Sequence, residues 1–153
     1  MIKMNSKIKE FFCRPYRRTE IDKVFTKVKA SMHQKAFERG NGAAYYTDIY
    51  TGKVLRGGDP YDYEHIRSSE ELYMRYCDRL TDQEIALVVN CSENVGVTMR
   101  TINQSKGKTP IETWLANPLN IARHDINVKL ALQHTKLADL GIARTVKEIL
   151  ASR

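Results

Sequence analysis

Asp62-Tyr63-Glu64-His65-Ile66 is the stretch whose reading decides the fold. Aromatic and apolar side chains there partly alternate with charged ones, the two-residue period of a half-buried strand. Upstream, Tyr45, Tyr46, Ile49 and Tyr50 favour extended chain. Thr51-Gly52-Lys53 turns that chain, and Val54-Leu55 begins a return strand. Gly57-Gly58-Asp59-Pro60 then supplies a second turn into the deciding stretch. Downstream, Val95-Gly96-Val97-Thr98 predicts a further strand, and helix is expected to resume near Thr98 and carry Ile102 and Asn103.

Helices are expected on either side of this centre. Residues 1–18 read as irregular, because Pro15 interrupts any helix. Thr19 is read as the cap of a helix to about Arg39, with Ile21, Val24, Phe25, Val28 and Met32 on one face, stopped by Gly40-Asn41-Gly42. Ser68 or Ser69 can cap a helix through Glu70, Leu72, Tyr73 and Tyr76. Thr81-Asp82-Gln83-Glu84 has the form of a capping box, yet Ile85-Ala86-Leu87-Val88-Val89 reads equally as a buried strand. Pro110 suits the first turn of a helix through Trp114-Leu115, with Trp114 expected in the core. Asp125 is read as capping a helix that ends near Gly141, and Ile142, Val146, Ile149 and Leu150 as a last amphipathic helix. The fold class is therefore α+β. It divides into a basic arm and helix (1–42), a mixed core (43–116) and a helical extension (117–153), all within one compact domain.

A chain of 153 residues is long enough for a real core, and no apolar run reaches the ~18 residues of a membrane span. The first residues lack the apolar segment of a secretory signal. Cys13, Cys77 and Cys91 are odd in number and form no C-x-x-C pair, so reduced thiols are expected and no structural zinc. The net charge of +7 is uneven: before residue 40 there are 11 basic and 4 acidic residues, which accounts for the whole excess. Arg17, Arg18, Lys23 and Lys27 belong to this region, which suits a polyanion.

Glu64 beside His65 has a clear use in phosphodiester cleavage. A carboxylate is a suitable ligand for a hard cation such as Mg²⁺, and a neutral imidazole can take a proton from water. The segment from Met99 to Pro110, on and after a short helix, adds the Asn103 amide oxygen as a second cation ligand, and Lys106 and Lys108 as phosphate contacts. His124-Asp125 is a rival pair whose simpler reading is a helix start.

Taken together, Tyr50-Thr51-Gly52-Lys53, Asp62-Tyr63-Glu64-His65-Ile66, Asn94-Val95 and Asn103-Gln104-Ser105-Lys106-Gly107 resemble the HNH nuclease family. The closest flavour is the HNH domain of RNA-guided CRISPR nucleases and related stand-alone enzymes. The resemblance covers about residues 44–115. It implies a ββα-metal core, one divalent metal (Mg²⁺, with Mn²⁺ or another ion as alternatives) and cleavage of double-stranded DNA. It further implies His65 as general base, and Glu64 and Asn103 as metal ligands. Asp62 becomes an outer acid of the metal set that tunes His65 or the ion, Asn94 a brace for the loop around the histidine, and Lys106 a DNA contact. Two features depart from the pattern: no cysteine pairs for zinc are present, and Glu64 stands where Asp is common. Restriction, phage defence and toxin action are settings such an enzyme fits, acting in the cytoplasm or delivered into another cell, with an immunity or other partner protein in the last case. Two other readings fit the residues. One is a catalytically inert nucleic-acid-binding module; the other is an enzyme working through His124-Asp125 or Cys91.

Overall fold

The computed structural model describes residues 13–153; residues 1–12, with Lys3, Lys7 and Lys9 of the basic arm, lie outside it. The fold is α+β. Helix α1 spans Thr19–Arg39 and is followed by two short strands, β1 (Tyr45–Thr47) and β2 (Val54–Arg56). Strand β3 (Tyr61–His65) leads into α2 (Ser69–Tyr76) and α3 (Asp82–Val89). A 3₁₀ turn, Ser92–Asn94, enters β4 (Val95–Met99), which passes directly into α4 (Arg100–Lys106). Short helices α5 (Ile111–Leu115) and α6 (Pro118–His124) precede the long α7 (Val128–Ala151).

The strands form two antiparallel pairs, β1 with β2 and β3 with β4. In the second pair Glu64 faces Gly96 and His65 faces Val95. Gly96 has to be small: a Cβ there would stand 2.6 Å from Ile49 Cδ1. Asp48 joins the two sheets. Buried in the β1–β2 turn, its carboxylate accepts from Tyr50 N (2.8 Å), Thr51 N (3.2 Å), Thr98 Oγ1 (2.9 Å) and Met99 N (3.1 Å). That set of donors satisfies a charge that burial alone would penalise. Tyr50, expected in a strand, instead sits fully buried in this turn.

Three apolar clusters make the core. One joins α1, α2, α3 and α7 through Ile21, Leu72, Ile85, Val88 and Ile142. A second gathers Ile49, Tyr50, Ile66, Ile102 and Trp114 beneath α4 and α5. A third lies under the first sheet around Ala36, Tyr46, Leu55 and Val97.

Several local expectations are corrected. Arg18, not Thr19, holds the N-cap position of α1, with no side-chain cap. Ile85–Val89 is helical, because the Thr81–Glu84 capping box satisfies the first amide groups reciprocally. Asp125 ends α6 in the left-handed region (φ 53°), and Asn127 caps α7 by accepting from Leu130 N at 3.0 Å. No break falls at Gly141. The helix runs through it, and the missing Cβ leaves room for Glu93, whose own Cβ would lie 2.7 Å away. Cys13 and Cys77, expected as free thiols, form a disulfide across 64 positions, and Cys91 alone stays free and buried. Spacing could not reveal the pairing, and beside it lie the contacts of Arg14. That side chain reaches Asp82 Oδ1 (2.5 Å), Cys77 O (3.1 Å) and Leu80 O (2.8 Å), folding the segment before α1 onto the end of α2. No helix among the described residues is long and apolar enough to cross a membrane.

Candidate active site

Strand β3 ends where α4 passes beside it, and there a cavity of about 390 Å³ opens. Glu64, His65, Asn103 and Lys108 line it, with Arg18, Tyr16 and Phe25 from the α1 side. The register explains the convergence. Asp62 and Glu64 lie two residues apart on β3, and α4 leaves β4 directly after the position paired with Tyr61.

Glu64 is buried, and both of its carboxylate oxygens are sealed from solvent. Lys106 Nζ, on a side chain 1% exposed, stands 3.3 Å from Oε1, and the Tyr50 hydroxyl is sealed in beside them. Burial pushes the Glu64 carboxyl above its ordinary value, and the Lys106 ammonium pulls it back. Lys106, read from sequence as a nucleic-acid contact, is therefore turned inward onto the acid. The aliphatic stem of a lysine fits such a place as long as its charge meets a carboxylate.

His65 is oriented from two sides. Its Nε2 lies 2.8 Å from Asn90 Oδ1, and its ring packs on Phe25 of α1 with centroids 4.2 Å apart. Burial lowers its pKa to about 4, against a smaller upward pull from the Asn90 contact, so the ring is neutral at physiological pH.

Asp62 stands outside the cavity wall. It accepts from Asn103 Nδ2 at 3.0 Å and pairs with Arg100 at 3.0 Å. The Asn103 amide nitrogen is thus engaged and its oxygen left for another partner. Asn94 is fully buried and ties the chain just after His65. It accepts from Arg67 N (2.8 Å) and donates to Arg67 O (3.0 Å) and Val89 O (2.8 Å).

Among the described residues no group of three or more His, Cys, Asp or Glu stands ready to hold a metal ion. A hard cation bound largely by water needs fewer protein ligands, often one or two carboxylates. Glu64 and the Asn103 amide oxygen are donors of that kind, but both Glu64 oxygens are sealed from solvent and Lys106 Nζ stands 3.3 Å from Oε1, so a cation there would have to displace the lysine.

The remaining basic residues lie around this centre or away from it. Lys108 is exposed at the rim, 3.2 Å from Glu70. Arg18 donates to Ser69 Oγ at 3.0 Å and also pairs with Asp22. Arg17, Lys23 and Lys27 are exposed, Lys23 beside Glu20 at 3.1 Å. His124 lies apart, packed on Trp114 with centroids 5.7 Å apart.

Sequence reasoning missed Asn90 and Asp48. An Asn closing an apolar helix reads as a simple C-cap, and its partner His65 is 25 positions away. Asp48 carried a weak signal, an Asp two residues before a buried Tyr in a Thr-Gly turn. Compared with known proteins, the chain matches no family model, no curated protein and no solved structure.

Proposed function

We propose that the chain is a metal-dependent endonuclease of the HNH type that hydrolyses phosphodiester bonds in double-stranded DNA. One observation supports this reading: a buried carboxylate, a neutral imidazole and a side-chain amide line a single cavity. His65 accepts a proton from the attacking water. Oxygen from that water joins phosphorus as the bond to the 3′ oxygen breaks, leaving a 5′-phosphate and a 3′-hydroxyl. Glu64 and Asn103 are the residues that would hold the divalent ion, and Asp62 would keep the Asn103 amide turned with its oxygen free. When bound, the ion neutralises charge on the scissile phosphate and the leaving oxygen. Lys108 and Arg18, at the cavity wall, meet the phosphates to either side. Restriction, phage defence or toxin action are settings for such an activity, in the cytoplasm or after delivery into another cell. In the delivered case an immunity protein is the expected partner.

A second reading has its own observation. Lys106 Nζ stands where it neutralises Glu64, which suits an inert nucleic-acid-binding module whose acid is structural. A plasmid assay separates the two. The nuclease cleaves with Mg²⁺ or Mn²⁺, stops with chelator, and loses at least 100-fold activity in His65→Ala, in line with the usual share of a general base. Retarded but intact plasmid under every metal condition would instead favour the module. Cleavage that survived His65→Ala and stopped with His124→Ala would move the site.

A further inference from the structure

We propose that Asn90 is a positioning residue that fixes the tautomer of His65, holding the proton on Nε2 and leaving the Nδ1 lone pair as the basic atom. This assignment rests on the reading of His65 as the base, but its central statement concerns the ring alone.

Asn90 closes α3 and is buried between α1 and β3. Its amide nitrogen faces two main-chain carbonyls, Ile21 O at 3.1 Å and Ala86 O at 2.9 Å. A carbonyl oxygen can only accept, so both amide hydrogens are committed to those two groups. The opposite amide orientation would set Oδ1 against two carbonyl oxygens and forfeit both bonds. Oδ1 therefore faces His65 as an acceptor, 2.8 Å from Nε2, and Nε2 must be the donor. A neutral imidazole has one N–H, so Nδ1 carries the lone pair. Nδ1 makes no hydrogen bond among the described residues, and it is not one of the sealed atoms, as Tyr50 Oη and both Glu64 oxygens are. His65 lines the cavity, and Phe25 across the ring resists a flip that would exchange the two nitrogens.

The device spans three elements. Ile21 belongs to α1 and Ala86 to α3, so the amide bonds that aim Asn90 also record that α1 is docked beside the cavity. An aspartate in its place would accept from Nε2 equally well but repel the two carbonyls. An alanine would leave the ring free to adopt either tautomer.

Nitrogen-15 NMR of the wild-type protein at neutral pH tests this, with the His65 ring assigned by comparison with His65→Ala. The expected pattern is a protonated Nε2 and an unprotonated Nδ1. In Asn90→Ala that pattern gives way to a tautomer mixture, and kcat falls by about 10–100-fold with KM nearly unchanged, the usual cost of losing such a partner. A proton on Nδ1 in the wild type overturns the proposal even if the enzyme cleaves DNA. An Nε2–H ring in Asn90→Ala as pure as in the wild type overturns it too. The wild-type spectrum needs no variant other than His65→Ala, so poor folding of Asn90→Ala leaves the decisive measurement intact. Absence of cleavage by the wild type would remove the nuclease reading while the spectrum still decides the role of Asn90.

Discussion

The Lys106 ammonium and the Glu64 carboxylate are almost sealed from solvent, with side chains 1% and 3% exposed. Removing one member of such a pair leaves the other uncompensated, which costs about 3–5 kcal/mol. Lys106→Met is therefore expected to lower the urea-unfolding free energy by that order, and the Lys106→Met/Glu64→Gln double variant to recover most of it. Equal loss in single and double variants would show that the pair is uncoupled. At this scale the sequence was readable where chemistry is local. Glu64 and His65 are neighbours, and Asn103 opens a short polar run at the end of a helix, so their residue types mark the candidate site. Lys106 misled, because Lys-Gly at a helix end reads as solvated, and only the fold shows an acid within 3.3 Å. Asn90 stayed silent because both groups that aim it are main-chain carbonyls, which carry no sequence signature.

Between elements, polar clamps set how the cavity walls meet. Arg67, at the end of β3, donates to Glu112 of α5 (2.6 and 2.8 Å) and to Asp139 of α7 (2.8 and 2.9 Å). Arg144 of α7 grips Glu93 in the 3₁₀ turn with bonds of 2.6 and 2.9 Å, next to the Asn94 that braces the chain after His65. The Arg144 guanidinium holds the Glu93 carboxyl below the usual carboxylate range. A folded-state value below the unfolded one, about 4.3, adds stability above that pH, and the gain disappears as pH falls through the folded value. Glu93→Gln should thus show a lower Tm than wild type at neutral pH, the two curves converging in acid; a gap that persisted in acid would point to packing instead. Periodicity made α1 legible to within a residue at its start, although Thr19 does not cap it, and the Thr81–Glu84 box was correct where the apolar run after it was ambiguous. A short amphipathic segment and a buried strand share the same composition, and the capping bonds decide between them. Gly141 reads in the sequence as a helix stop, and the close approach of Glu93 that explains it is a tertiary contact.

Over the whole molecule, charge and chain connectivity matter most. The exposed lysines of α1 lie on the helix whose Phe25 packs against His65, so the basic surface and the cavity share one element. Charge reversal of Lys23 and Lys27 together should weaken DNA binding several-fold and flatten its salt dependence, with the melting curve little changed. Unaltered affinity in a gel-shift titration would remove α1 from the interface. The α+β class could be read from the alternation of segments, but the link between residues 13 and 77 could not, since it needs the three-dimensional path of everything between them. That link has a further consequence. It makes a covalent hoop that encloses α1, both strands of the first sheet, β3 and α2, and so holds Tyr16 and Arg18 against the rim formed by Ser69. Closing a loop of this length restricts the unfolded chain by about 4 kcal/mol in the chain-entropy view. A thiol reductant should then lower the Tm and loosen the α1 side of the cavity first, seen as faster amide exchange at residues 14–18 than at β4. The redox state of the surroundings would in that way tune how firmly one wall of the site stands.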